Sequence, residues 1–149
     1  MKNFLLILII ILFTTQLKAN NKQNIINNLK NTKNVNFEFE QNINQKIEKG
    51  NCIVEYPKKI YSEYSGKNNK ILVSNGRSLV IKTKASYYRY PLEKTPLNLI
   101  LDKDYLINKI VNLEERVIDE SFINFTIREN DIEINIFFDD RTFNLIGWQ

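Results

Sequence analysis

The chain has 149 residues, with 21 Lys and Arg against 17 Asp and Glu, no histidine and one cysteine. Without histidine there is no Ser-His-Asp triad and none of the commonest metal ligand or general base, and a single cysteine closes no disulfide within the chain. The charges are mixed along the sequence, which excludes the basic stripe of a nucleic-acid groove.

The N-terminus sets the compartment. Phe4 to Phe13 is an unbroken apolar run behind Lys2. It is too short for a membrane span, which needs roughly 20 apolar residues, and it lacks the polar positions of a surface helix. With Ala19 ahead of a polar stretch, residues 1–19 read as a secretory signal peptide. Its removal takes Lys2 and Lys18 and leaves 19 basic against 17 acidic side chains, a net charge of +2. Residues 20–149 are long enough for a single domain with one core.

Ile25, Ile26 and Leu29 stand at helical spacing between Asn20 and Lys33 and predict a short amphipathic helix. The period then switches to two. Val35, Phe37, Phe39, Gln41 and Ile43 share one face of a half-buried antiparallel strand. Lys49-Gly50-Asn51 predicts a turn, and Cys52 to Tyr56 the next strand, ended by Pro57. Cys52 reads as a small buried hydrophobe. Ile60 to Ser65 is another strand. Ile71–Val73, Asn75-Gly76 and Leu79–Ile81 predict a hairpin, its Asn-Gly supplying two positive-φ positions. Tyr87 to Tyr90 is a short aromatic strand closed by Pro91.

The texture then changes. Thr95-Pro96 predicts an N-cap and first helical residue, followed by Leu97, Ile100 and Leu101 at i, i+3 and i+4. Asp102-Lys103-Asp104 breaks this helix, and Tyr105, Leu106 and Ile107 begin a second short one. Strand periodicity returns with Val111 and Leu113, continues through Phe122–Ile127 and Ile132–Phe138, and ends with Phe143–Trp148. The chain stops at Gln149 directly after this strand, which predicts a missing C-terminal piece. About eight antiparallel strands with short turns predict a curved sheet, an incomplete or closed barrel. Helices apolar on several sides must be buried on more than one, as a lid across its concave face. Glu114-Glu115, Asp119-Glu120 and Asp139-Asp140 are adjacent pairs whose members point to opposite faces on a strand. They read as turn or edge residues, and no enzyme is expected.

Four stretches now carry a resemblance: Phe39-Glu40-Gln41; Gly50 with Tyr56-Pro57-Lys58-Lys59-Ile60-Tyr61-Ser62-Glu63-Tyr64; Ile71-Leu72-Val73-Ser74-Asn75-Gly76; and Thr95-Pro96-Leu97-Asn98-Leu99-Ile100-Leu101. In this order they resemble the LolA family of periplasmic lipoprotein carriers of Gram-negative bacteria, especially its alphaproteobacterial branch. The resemblance implies an incomplete antiparallel barrel with a helical lid and an N-terminal helix. It implies a monomeric periplasmic carrier without cofactor, taking acylated lipoproteins from an inner-membrane ABC-type releasing complex toward an outer-membrane receptor. On that fold the acyl chains would meet Phe37, Phe39, Val54, Tyr64, Leu72 and Leu79, beneath a lid of Pro96, Leu97, Ile100 and Leu101 with Tyr105. The family's latch arginine before the strand proline aligns with Tyr56, leaving Tyr56 or Arg89 as the expected latch. Phe143 to Trp148 looks like the family's Leu-x-Gly-Trp strand. The competing function is a lipid-binding or envelope-docking protein that transfers no lipoprotein.

Overall fold

The computed structural model describes residues 21–43, 45–129 and 131–149; the predicted signal segment lies outside the described residues. Helix α1 (Asn21–Asn31) leads into β1 (Asn34–Ile43), β2 (Lys46–Glu55), β3 (Lys59–Tyr64), β4 (Ile71–Asn75), β5 (Ser78–Lys82) and β6 (Tyr87–Pro91). These six strands pair antiparallel in chain order. A 3-10 turn at Leu92–Lys94 precedes helices α2 (Leu97–Leu101) and α3 (Lys103–Asn112). The chain then forms β7 (Arg116–Ile118), β8 (Phe122–Glu129), β9 (Ile132–Asp139) and β10 (Leu145–Trp148), a second antiparallel sheet in the order β10-β9-β8-β7.

Each sheet covers one face with helices, which is why its strands alternate apolar and polar residues. On the four-stranded sheet, Ile123, Phe125, Ile127, Ile134, Ile136 and Phe138 bury against Ile25, Ile26 and Leu29 of α1 and Ile107 and Ile110 of α3. On the six-stranded sheet, Cys52, Val54, Ile60, Leu72 and Leu79 bury under Leu92 and Leu101. Among the described residues the buried members of both cores run from Ile25 to Leu145, with Trp148 packed against the first.

The predicted incomplete barrel stands, since neither sheet closes among the described residues. It holds ten strands in two sheets rather than about eight in one. The turn expected at Lys49-Gly50-Asn51 is absent, because β2 runs straight through it and begins at Lys46. The chain reverses instead at Gln45, whose φ is 68°. Gly50 marks a close approach, not a turn: it faces Phe39 across the ladder, and a Cβ there would lie 2.2 Å from the Glu63 carbonyl oxygen. Asn75-Gly76 does turn the chain, but only Gly76 takes positive φ, at 93°. Asn75 acts through its side chain, whose Oδ1 accepts from the amides of Arg77 and Ser78, both at 3.0 Å, the local bonding that makes Asn a turn former. Val111 lies in α3 rather than on a strand, because Leu106, Ile107 and Ile110 hold helical spacing for a further turn. Phe143 sits in a turn with φ of 58°, and the last strand starts at Leu145.

Candidate functional site

Strand register assembles an apolar wall. Phe37 pairs with Cys52, Cys52 with Ser62, Ser62 with Leu72, and Leu72 with Ile81. The row therefore crosses β1 to β5 on the face that α2 covers. One step along, Phe39 lies over Gly50 and meets Tyr64 edge to face at 5.0 Å. The missing side chain at Gly50 is what lets the ring lie flat on the sheet. Across the gap between the sheets, the Trp148 ring stands edge-on to Phe37 at 6.1 Å. These groups enclose a cavity of about 280 Å³, lined by Phe37, Phe39, Cys52, Ile60, Ser62, Tyr64, Leu72, Leu97 and the β10 residues Ile146 to Trp148, among others.

Glu38, Glu40 and Gln41 also line it, so an apolar wall faces a polar edge. Ser62 donates to the Cys52 sulfur at 3.0 Å, both side chains being buried, and burial pushes the Cys52 thiol pKa up. At the rim, Glu48 accepts from Lys46 at 2.8 Å, Lys70 at 2.6 Å and Gln41 at 2.9 Å. Lys70 in turn sits 3.9 Å over the Tyr64 ring. The hydrogen bonds from Lys46 and Lys70 hold the Glu48 carboxyl down at about 2, against 4.5 when free. A carboxylate lowered on folding stabilises the fold above its free value, and that contribution is lost as pH falls from there toward 2. Melting temperature is therefore expected to decline less between pH 5 and 2 in Glu48→Gln than in the parent chain.

The lid is α2. No side chain caps its N-terminus at Pro96; the expected cap, Thr95, instead donates its hydroxyl to the Leu92 carbonyl at 2.7 Å. Leu97 and Leu101 pack with the six-stranded sheet, whereas Ile100 and Leu99 pack into the other core. The helix is fastened by Lys58, in the turn between β2 and β3. Its amide donates to the Leu101 carbonyl at 2.9 Å, and its ammonium lies 3.0 Å from the Asp102 carboxylate. Asp102 also caps α3 by accepting from the Tyr105 amide at 3.1 Å. Lys103 ties the joint between α2 and α3 to the end of α1, donating to the Lys30 and Thr32 carbonyls at 3.1 and 3.0 Å.

Of the expected wall residues, Phe37, Phe39, Tyr64 and Leu72 line the cavity, while Val54 and Leu79 bury deeper in the same cluster. Leu97 is the lid residue on the cavity, and Leu101 buries beside Val54 and Leu79. Pro96 only starts the helix, Ile100 faces the other core, and Tyr105 lies on α3, where its hydroxyl bonds Glu129. Neither expected latch makes a hydrogen bond to α2 among the described residues. The guanidinium of Arg89 donates to Ser78 Oγ at 3.1 and 3.0 Å on the exposed β6. The Tyr56 hydroxyl is buried with no partner among the described residues, and burial pushes its pKa up to about 12. An unsatisfied buried hydroxyl costs about 1–3 kcal/mol. Tyr56→Phe is thus expected to hold or raise the melting temperature, where loss of a latch would lower it.

Lys58 was hidden in the sequence because its bond to the lid is partly main-chain and any residue type could make it. Trp148 was visible as a strand residue, but nothing local says that its ring crosses to the other sheet.

The family model for the outer membrane lipoprotein carrier protein LolA matches residues 30–142. No curated protein matches the chain.

Proposed function

The chain belongs to the LolA family of outer membrane lipoprotein carriers, and from that premise we propose that it is an exported periplasmic shuttle, holding lipoprotein acyl chains against the wall of Phe37, Phe39, Tyr64 and Leu72 beneath α2. The observation that carries this reading is a half-open cavity whose wall joins Phe37, Phe39, Tyr64 and Leu72 to one lid leucine, Leu97. Acyl chains of a lipoprotein expose several hundred Å² of apolar surface, and at about 25 cal/mol/Å² hiding it is worth on the order of 10 kcal/mol. The binding step asks for no covalent chemistry.

At about 280 Å³ the cavity is at the lower end of small-ligand sites, which start near 300 Å³. Several acyl chains do not fit beneath a closed lid, so α2 must lift. The contacts resisting it are Leu97 and Leu101 on one sheet, Leu99 and Ile100 in the other core, and the two bonds from Lys58. Cargo would arrive from an inner-membrane releasing complex and leave to an acceptor at the outer membrane.

The test is capture of the exported form from an envelope extract, with mass spectrometry of what stays bound. Triacylated lipoproteins are expected, and they should be lost in Leu97→Glu, which sets a carboxylate on the cavity wall at a half-buried position. Phospholipid alone, or nothing from a folded sample, overturns the carrier reading in favour of a lipid-binding or docking protein.

A further inference from the structure

One end of the six-stranded sheet is rich in lysine. At the end carrying the turns β1–β2, β3–β4 and β5–β6, segments 42–48, 65–70 and 82–86 hold Lys46, Lys67, Lys70, Lys82 and Lys84 against a single carboxylate, Glu48. Glu48 is already shared between Lys46 and Lys70. Lys67, Lys82 and Lys84 are exposed and make no ion pair among the described residues. At the opposite end Lys58 meets Asp102 and Lys59 meets Glu55, and Lys33 and Arg77 are exposed beside them.

Backbone bonds knit those segments into one surface. The Ser65 amide donates to Lys49 at 2.7 Å, and the Lys84 amide to Asn68 at 3.0 Å. The end is also apolar at its tip. The β1–β2 ladder continues to the Ile43–Lys46 pair, whereas β2 and β3 pair only as far as Gly50–Tyr64. The hairpin thus overhangs its neighbour by residues 46–48, about 10 Å of strand. Ile43 and Ile47 stand near that tip, 54% and 57% exposed. They lie on opposite faces, since Ile43 continues the alternation of Phe37 and Phe39 while Ile47 alternates with Glu48 and Gly50.

We propose that this end docks on a bilayer containing anionic phospholipid, with lysines on the headgroup phosphates and the isoleucine tip entering the boundary above the acyl chains. Charge complementarity argues for the occupant: a cluster of lysines beside a membrane collects anionic lipid, and an apolar tip flanked by cations matches the chemistry of the interface. A cleft of about 370 Å³ between Lys46, Lys67, Lys70 and Tyr64 is large enough for a headgroup phosphate. An acidic protein partner would use the lysines but gives no role to isoleucines on both faces of a projecting tip. Lys67, Lys82 and Lys84 do not line the cavity beneath α2, so their effect is read separately from what the cavity carries.

The test is co-sedimentation of the chain from Asn20 onward, which contains every described element and lacks the apolar N-terminal run, with vesicles of phosphatidylcholine alone or mixed with phosphatidylglycerol. Binding is expected to the mixed vesicles only, and to fall steeply between about 0.05 and 0.5 M salt as the Debye length shrinks from ~10 Å or more to a few Å. Neutralising Lys67, Lys82 and Lys84 together to Gln should weaken partition on the order of 100-fold, with an unchanged melting temperature. Ile43→Asn with Ile47→Asn should retain low-salt capture and lose the part that survives high salt. Equal binding to pure phosphatidylcholine, no binding to either vesicle, or capture indifferent to the lysine changes overturns it.

Discussion

Gly50→Ala is expected to cost about 1–3 kcal/mol, roughly 5–10 °C of melting temperature in a domain of this size, and to shrink cargo capture with it. An alanine Cβ at this position meets the Glu63 carbonyl oxygen at 2.2 Å and two atoms of the Phe39 ring at 2.9 Å. The ring could swing away, but the carbonyl belongs to the backbone of β3, paired with β2 from Gly50 to Glu55. Relief therefore requires the ladder to spread where the cavity wall is formed. Phe39 would leave its edge-to-face contact with Tyr64, so the wall loses shape as well as stability. Thermal melts, together with lipoprotein capture by the folded fraction, check both halves. A melting temperature within a degree or two of the parent would show that β2 and β3 separate without strain.

Leu101→Ala should destabilise by about 2–5 kcal/mol, the range for emptying a fully buried leucine site. Leu101 is 0% exposed, packs in the cluster of Val54, Ile60 and Leu79, and its own carbonyl takes the Lys58 amide. Neighbouring Ile100 is 1% exposed in the other core and keeps α2 attached, so the site cannot collapse freely to fill the void. Native stability of 5–15 kcal/mol leaves the variant folded at room temperature. Leu97→Glu should change melting far less, because Leu97 is only half-buried and lines open space. Denaturant titration of the two variants separates a core leucine from a cavity leucine on the same short helix.

That separation bears on what the sequence could tell. Alternation along Val35 to Gln41, and helical spacing at Ile25, Ile26 and Leu29, follow from solvent on one side and core on the other, so strands and helices were legible wherever one face is wet. Phe37, Phe39, Tyr64 and Leu72 were found for that reason. Periodicity carries no such signal where a residue has protein on two sides. Gly50 looked like a turn because a glycine needed for close packing and one needed for positive φ are the same letter. Ile100 and Leu101 looked like one stripe because the two sheets that divide them are distant in sequence. Tyr56 aligns with the family's latch arginine, but its hydroxyl is buried without a partner among the described residues, whereas Lys58 two residues on reaches the lid with both its amide and its ammonium.

The division of α2 between two cores also bears on affinity. A helix of five residues without a side-chain cap has no stability of its own, so its shape is lent by the surfaces on either side. Leu97 and Leu101 cover the same sheet that acyl chains would cover. For a carrier built this way the empty protein holds an internal competitor for its own site, and measured affinity is the difference between cargo burial and lid burial rather than cargo burial alone. Release is then an exchange in which the helix replaces the departing chains and the sheet is not left bare to water, so a downstream acceptor need offer only a modest advantage.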